Sequence, residues 1–178
     1  AHCSFDKGFD VKLIADCNYD ETIVPRMYNL HAFDWVCNKC GDRRYQGPTP
    51  TSCPKCENKT EFRRDVMWKE KHNPTSDFFR FDRELHFQYW RDFKDRPEAK
   101  PDKAPTMSLI GACWMMHRGR YWDLDGMDEA TGSWGQMGTE IACKSWLSGG
   151  KLLVNKKTWF AHMFRTQGLD FGFPYQLS

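Results

Sequence analysis

The chain has 178 residues, 40% of them hydrophobic, which is enough for one compact core with a small satellite and short for a complete two-domain enzyme. Its 26 Lys and Arg nearly balance 24 Asp and Glu, and a net charge of +2 supplies no field that would point to a nucleic-acid or membrane partner. No run approaches the roughly 20 consecutive apolar residues of a membrane span and no basic-then-apolar leader opens the sequence, so a soluble protein is expected.

In chain order, Val11, Leu13, Ile14 and Cys17 suit a short helix over residues 10–18, and residues 22–35 read as an extended, partly alternating segment. Pro25 argues against a central strand there, because it has no N–H to donate to a ladder. Residues 61–68, 77–81 and 85–90 are aromatic-rich strand candidates separated by turn residues, suited to an antiparallel sheet or hairpin. Three prolines and a scatter of charges make residues 92–105 a loop or linker.

The apolar run 108–117 is expected to be a buried strand, followed by a short helical segment over 118–124 that Gly126 ends. Thr139 is placed to cap a helix reaching Leu147, with Ile141, Ala142, Trp146 and Leu147 inward and Gly149 and Gly150 terminating it. Residues 152–155 and 158–161 read as two short strands. Thirteen Phe, eight Trp and six Tyr exceed what a small core needs, and in an exposed cleft they would suit the faces of sugar rings or a nucleobase.

Between residues 37 and 56 the composition turns to Gly, Pro, Asn, Lys and Thr, and within it lie two CxxC pairs, Cys37 with Cys40 and Cys53 with Cys56. Each pair can place two thiolates on a tetrahedral metal, and Gly41 gives the backbone freedom that lets amides turn toward the sulfurs. A loop this polar cannot fold by burial, so an inserted four-cysteine zinc ribbon over residues 36–60 is the reading, with iron in the same geometry or two disulfides as alternatives. Four Cys ligands leave no open coordination position, which makes the metal structural. The other four cysteines, Cys3, Cys17, Cys113 and Cys143, are scattered singly, a distribution that favours a reducing, cytoplasmic setting.

A second set of segments carries a family resemblance. Pro105-Thr106-Met107 leading to Gly111-Ala112, then Tyr121 to Asp128, Trp134-Gly135-Gln136 and finally His162-Met163-Phe164-Arg165 resemble, in order and spacing, the C-terminal catalytic half of polypeptide N-acetylgalactosaminyltransferases and related bacterial and phage family 2-type glycosyltransferases. The opening Ala1-His2-Cys3 resembles that family's Asp-any-His metal motif, whose Asp would be the residue just before Ala1. The resemblance covers residues 1–20 and 105–175 and implies an α/β chain: the C-terminal portion of a GT-A fold over 1–35 and 61–178, cut from a longer protein at both ends, with its nucleotide-binding half missing.

The activity it implies is transfer from a nucleoside-diphosphate sugar, UDP first among them, to an acceptor that the residues do not name. His2 and His162 would be two ligands of a catalytic Mn²⁺ or Mg²⁺ that stabilises charge developing on the leaving diphosphate. Gly111, Ala112, Trp134, Gly135 and Arg165 would contact substrate, Arg165 as a bidentate donor to phosphate oxygens. Met137 stands where the family has an active-site Glu, which leaves Glu140 and Asp128 as the candidate catalytic carboxylates, beside Asp125 and Glu129. Competing readings are a nucleotidyl or phospho-sugar transferase using the same metal, and a non-catalytic zinc-ribbon interaction module on a degenerate glycosyltransferase scaffold. No pattern specifies an oligomeric state.

Overall fold

The computed structural model describes residues 3–131 and 136–164. Its framework is a mixed sheet built on two long strands, β2 (Glu21–Cys37) and β9 (Lys151–His162), paired in parallel from Glu21 opposite Lys151 to Asn29 opposite His162. Two short strands flank β9 antiparallel: β1 (Cys3–Phe5) at its C-terminal end and β7 (Lys103–Pro105) nearer its start. On β2 the partners are β8 (Met115–Met116) near its beginning, then β4 (Phe62–His72) and β3 (Arg43–Tyr45) along its second half. A separate hairpin pairs β5 (Phe79–Phe81) with β6 (Phe87–Tyr89), as the turn residues between them predict.

At about 3.3 Å per residue, β2 runs about 55 Å and leaves its β9 neighbour halfway. Its first half belongs to the main core and its second half carries an arm made of β3, β4 and the cysteine segment.

Pro25 does lie in this central strand, contrary to the sequence expectation. The register explains how: Pro25 faces Asn155, and the next rung pairs Arg26 with Trp159, so residues 156–158 of β9 bulge out where the missing donor would have been needed. Fully buried Asn155 holds the bulge, donating to the Lys12 carbonyl and the Asp16 carboxylate and accepting from the Lys157 N–H. The two short strands expected over 152–161 are therefore one strand with an interruption.

Four further expectations are corrected. Residues 108–117 are buried in part but contain only the two-residue β8, because Leu109 enters a cluster with Val24, Ile141, Ala142 and Leu152 while Ile110 and Cys113 pack on Met27, Phe79 and Phe160. A single straight strand could not serve both. The loop 92–105 contains two one-turn helices, Phe93–Asp95 and Pro97–Ala99, pinned by Phe93 and Ala99 packing beside Phe78. Helix α1 (Phe9–Asp16) buries Leu13 alone, with Val11 and Ile14 exposed.

The last correction concerns α3. After α2 (Arg118–Asp123), which begins at His117 accepting the Gly119 N–H, α3 spans Met137–Leu147. It starts two residues before Thr139, with Gln136 at its N-cap, and buries Gly138, Ile141, Ala142 and Ser145. That i, i+3, i+4, i+7 stripe turns Trp146 and Leu147 outward, and Leu147 is 89% exposed. Gly149, at φ 75°, ends the helix as expected.

Candidate functional site

The four cysteines of the arm converge. Their sulfur atoms all lie within 4.8 Å of one another, with Cys37 Sγ 3.6 Å from Cys56 Sγ and Cys40 Sγ 3.6 Å from Cys53 Sγ. A disulfide needs about 2.05 Å, and all four thiols are free. Sulfurs bound tetrahedrally at about 2.3 Å from a metal sit about 3.8 Å apart, so the spacing fits a metal site.

The two CxxC loops repeat one backbone design. Gly41 N–H donates to the Cys37 carbonyl at 2.8 Å and Glu57 N–H to the Cys53 carbonyl at 2.9 Å; Cys37 N–H donates to Asp42 and Cys53 N–H to Asn58. Gly41 and Glu57 both have positive φ, 73° and 57°. The fold thus meets the same need twice, once with glycine and once with a glutamate held in the left-handed region at a cost of about 1 kcal/mol.

Electrostatics in the cluster favours a cation. Burial opposes ionisation of Cys37, but the Asn58 side-chain amide, 3.4 Å from its sulfur, and the Cys40 and Lys39 N–H groups hold its thiol down to about 6. The Asp42 N–H favours a thiolate at Cys40, yet burial and the three neighbouring sulfurs outweigh it and push Cys40 up to about 12. One negative charge suppresses the next unless a metal ion offsets both. Asn58 was not apparent from sequence beyond its being a polar residue two positions after Cys56.

The second candidate centre lies where β9 ends. In the β1–β9 pairing Cys3 stands opposite His162, so the topology returns the start of the chain to the end of its last described strand. His162 is half-buried, with its ring 4.5 Å from that of Phe164 in a T-shaped contact. Burial, to which nearby Cys3 adds, pushes the Cys113 thiol up to about 12. His2, Trp134, Gly135 and Arg165 lie outside the described residues. Groups of three or more ligand side chains among the described residues are the four cysteines and Asp82 with Glu84 and His86. In the second group Asp82 accepts the Glu84 and His86 N–H groups, the bonding pattern of a tight turn between β5 and β6.

Gly111 packs against the N-terminus of α3: a methyl on Gly111 would lie 3.1 Å from Met137 Cβ, and one on Gly138 would lie 2.3 Å from the Leu109 carbonyl oxygen. Backbone here approaches backbone as only glycines permit. Ala112 is exposed beside it. Glu140 and Asp128 are also brought together, since Glu140 Oε1 accepts the Asp128 N–H at 2.8 Å and pairs with Lys144 Nζ at 2.8 Å. The i, i+4 spacing of Glu140 and Lys144 was legible in sequence; their grip on the 125–128 turn was not.

On the other half of α3, Trp90, Phe93, Trp146, Leu85 and Leu147 line an open apolar cleft of about 630 Å³. Pro105, Thr106 and Met107 of the family-like segment line the same cleft, and a second cleft is lined by Trp114, Tyr121 and Trp122.

The mixed α/β architecture is similar to a GT-A-like glycosyltransferase fold. Among the solved structures it matches is a crystal structure of GalNAc-T7 with UDP, GalNAc and Mn2+, at TM-score 0.64 and 16% sequence identity, covering 97% of this chain and 28% of that one. The chain thus spans little more than a quarter of the length of that protein. No protein-family model and no curated protein sequence matches it.

Proposed function

We propose that the chain is the C-terminal, metal-binding portion of a GT-A glycosyltransferase of bacterial or phage type, which transfers a sugar from a UDP-sugar to an acceptor in the cytoplasm. The observation that carries the reading is the rung Cys3–His162 inside a fold matched by a UDP- and Mn2+-bound transferase. Cys3 shares a rung with His162, and the metal motif of the resemblance ends one residue before Cys3, which supports His2 and His162 as two ligands of one ion. Mn²⁺ suits imidazole better than Mg²⁺ does. That ion supplies charge stabilisation to the departing diphosphate.

The chain's own residues supply the rest of the proposed site. Gly111 seats its loop against α3 so that exposed Ala112 and the 111–112 backbone can meet the donor sugar, and the resemblance assigns Trp134 and Gly135 to the substrate and Arg165 to phosphate oxygens. Asp128 accepts the proton of the acceptor hydroxyl as the new C1–O bond forms and the C1–phosphate bond breaks, its electron pair leaving on the diphosphate. Residues 36–60 form a zinc ribbon inserted between 1–35 and 61–178, with Cys37, Cys40, Cys53 and Cys56 holding a structural Zn²⁺.

The test is Mn²⁺-dependent release of UDP from UDP-sugars by the full-length protein. Release that needs a divalent ion and is abolished by His162→Ala supports the assignment. Absence of release across a panel of nucleotide sugars, by a protein that binds none of them in calorimetry, overturns it.

A further inference from the structure

Four large apolar side chains that folding leaves in the open meet at one place. Leu85, Met107, Trp146 and Leu147 are between 39% and 89% exposed, and all four line the cleft beside the second half of α3. Single exposed apolar groups are ordinary, whereas a cluster of them around a concave surface marks a place of binding. At about 630 Å³ the cleft lies within the roughly 300–1,000 Å³ of small-molecule sites.

Its walls are fixed before any ligand arrives. The Trp146 indole N–H donates to the Met107 carbonyl at 2.9 Å, so its polar end is satisfied and what it offers the cleft is apolar. Met107 N–H donates to the Phe79 carbonyl at 2.9 Å, and the buried Thr106 hydroxyl donates to that carbonyl and accepts the Phe79 N–H. Trp90 and Phe93 lie with ring centroids 4.2 Å apart, Phe93 meets Phe78 edge-on at 5.0 Å, and the Arg96 guanidinium covers the Trp90 and Phe93 rings at 5.3 and 5.5 Å. Arg96 is 3.6 Å from Asp92, and exposed Glu98 also lines the cleft, so no unopposed positive charge selects an anion.

Leu85 supplies an independent observation. In the turn between β5 and β6 it has φ 63°, a left-handed conformation that a leucine enters at a steric cost and that Asn or Gly adopts readily. An exposed leucine is thus kept, at the rim of the cleft, in a conformation that suits another residue. Strain of this kind collects where a side chain meets a ligand.

We infer that this cleft binds the aromatic group of the acceptor, a neutral small molecule whose aryl ring packs among Trp90, Phe93 and Trp146 while a hydroxyl reaches the donor sugar. An aryl ring is favoured over an alkyl chain because rings gain from the offset and edge-on contacts that these walls already make with one another. Four residues separate Met107 in the cleft from Gly111 at the proposed donor site, a span of at most about 14 Å that an aromatic ring joined to a sugar covers. In the transfer the acceptor's hydroxyl oxygen bonds to sugar C1, the C1–phosphate bond breaks with its electron pair on the diphosphate, and the hydroxyl proton passes to the base of the site. The acceptor role rests on the glycosyltransferase reading; the aryl-binding cleft does not.

Calorimetry on the full-length protein with 2-naphthyl, octyl and methyl galactoside tests the cleft. The naphthyl compound should bind about tenfold or more tighter than the methyl one and about threefold tighter than the octyl one. Leu147→Glu, at a position too exposed to matter for folding, should weaken naphthyl binding by about tenfold and leave UDP binding unchanged. Leu85→Asn should weaken it by about threefold with a melting temperature equal to or above that of wild type, since Asn relieves the turn. Naphthyl binding no tighter than methyl, or untouched by both substitutions, overturns the cleft, and octyl binding as tight as naphthyl overturns the aromatic assignment. For the acceptor role, naphthyl galactoside should raise UDP release from a UDP-sugar about fivefold or more above the rate with methyl galactoside. Binding without that rise overturns the acceptor role alone. If wild type turns over no nucleotide sugar, the glycosyltransferase reading fails and the binding comparison still decides the cleft.

Discussion

Cys3 and His162 share one rung of the sheet, the first described residue of the chain facing the last residue of β9. The pairing turns a sequence resemblance at two distant ends into a single location, and the sharpest predictions about activity follow from it.

Replacing His162 by Ala in the full-length protein should lower Mn²⁺-dependent turnover of a UDP-sugar by about 100-fold, the scale of losing a ligand that supports the metal. The ring touches Phe164 and is only half-buried, so the melting temperature should move by no more than about 3 °C. Steady-state kinetics beside a thermal scan checks both. Full activity, or a collapse in stability that accounts for the loss, contradicts the metal role.

The four-cysteine cluster should carry one zinc per chain when the protein is purified without added metal. Elemental analysis measures this directly, and quantifiable disulfides with no metal would contradict it. Cys53→Ser should remove the metal and expose residues 37–60 to rapid amide exchange, while β9 and the first half of β2 keep their protection. The arm leaves the main core halfway along β2, so its unfolding need not propagate.

Stability should fall on the acid side through Glu21 and Asp34. Burial works against the charge on Glu21, but Lys103 Nζ at 2.5 Å and the Asn18 N–H outweigh it and hold the carboxyl below its ordinary 4.5. Burial likewise opposes Asp34, and Arg43 and His31 reverse it, leaving it below 3.8. A depressed folded-state pKa contributes stability that is present above the unfolded value and is lost as pH falls through the folded one. Urea unfolding of wild type should therefore weaken progressively below about pH 4.5. Glu21→Gln should be less stable at pH 7 and show a shallower acid dependence; parallel pH profiles would contradict this account.

Gly138→Ala should be poorly tolerated, because its methyl would sit 2.3 Å from the Leu109 carbonyl oxygen and 3.0 Å from Gly111 N. Displacing backbone on both sides of that contact should cost about 2 kcal/mol, or about 5 °C in Tm. Gly111→Ala meets softer neighbours, Met137 Cβ and Cγ among them, and should cost less. Thermal unfolding of the two variants checks the order.

Local chemistry was readable from residue order alone wherever a few neighbouring residues decide the outcome. The CxxC pairs specified two metal-type knuckles, the turn residues between β5 and β6 specified a hairpin, and Gly149 ended α3. In each case the contacts lie within a few positions of one another, so spacing and backbone freedom suffice. The pairing of β2 with β9 is different in kind, since its partners lie far apart in the chain and only packing chooses among possible registers. That register made room for Pro25 by bulging β9 and split the apolar run 108–117 between two clusters. It also set Cys3 against His162, while the packing of α3 placed Glu140 beneath Asp128. Residue types named the chemistry available to this protein; long-range burial and strand pairing decided which of those residues meet.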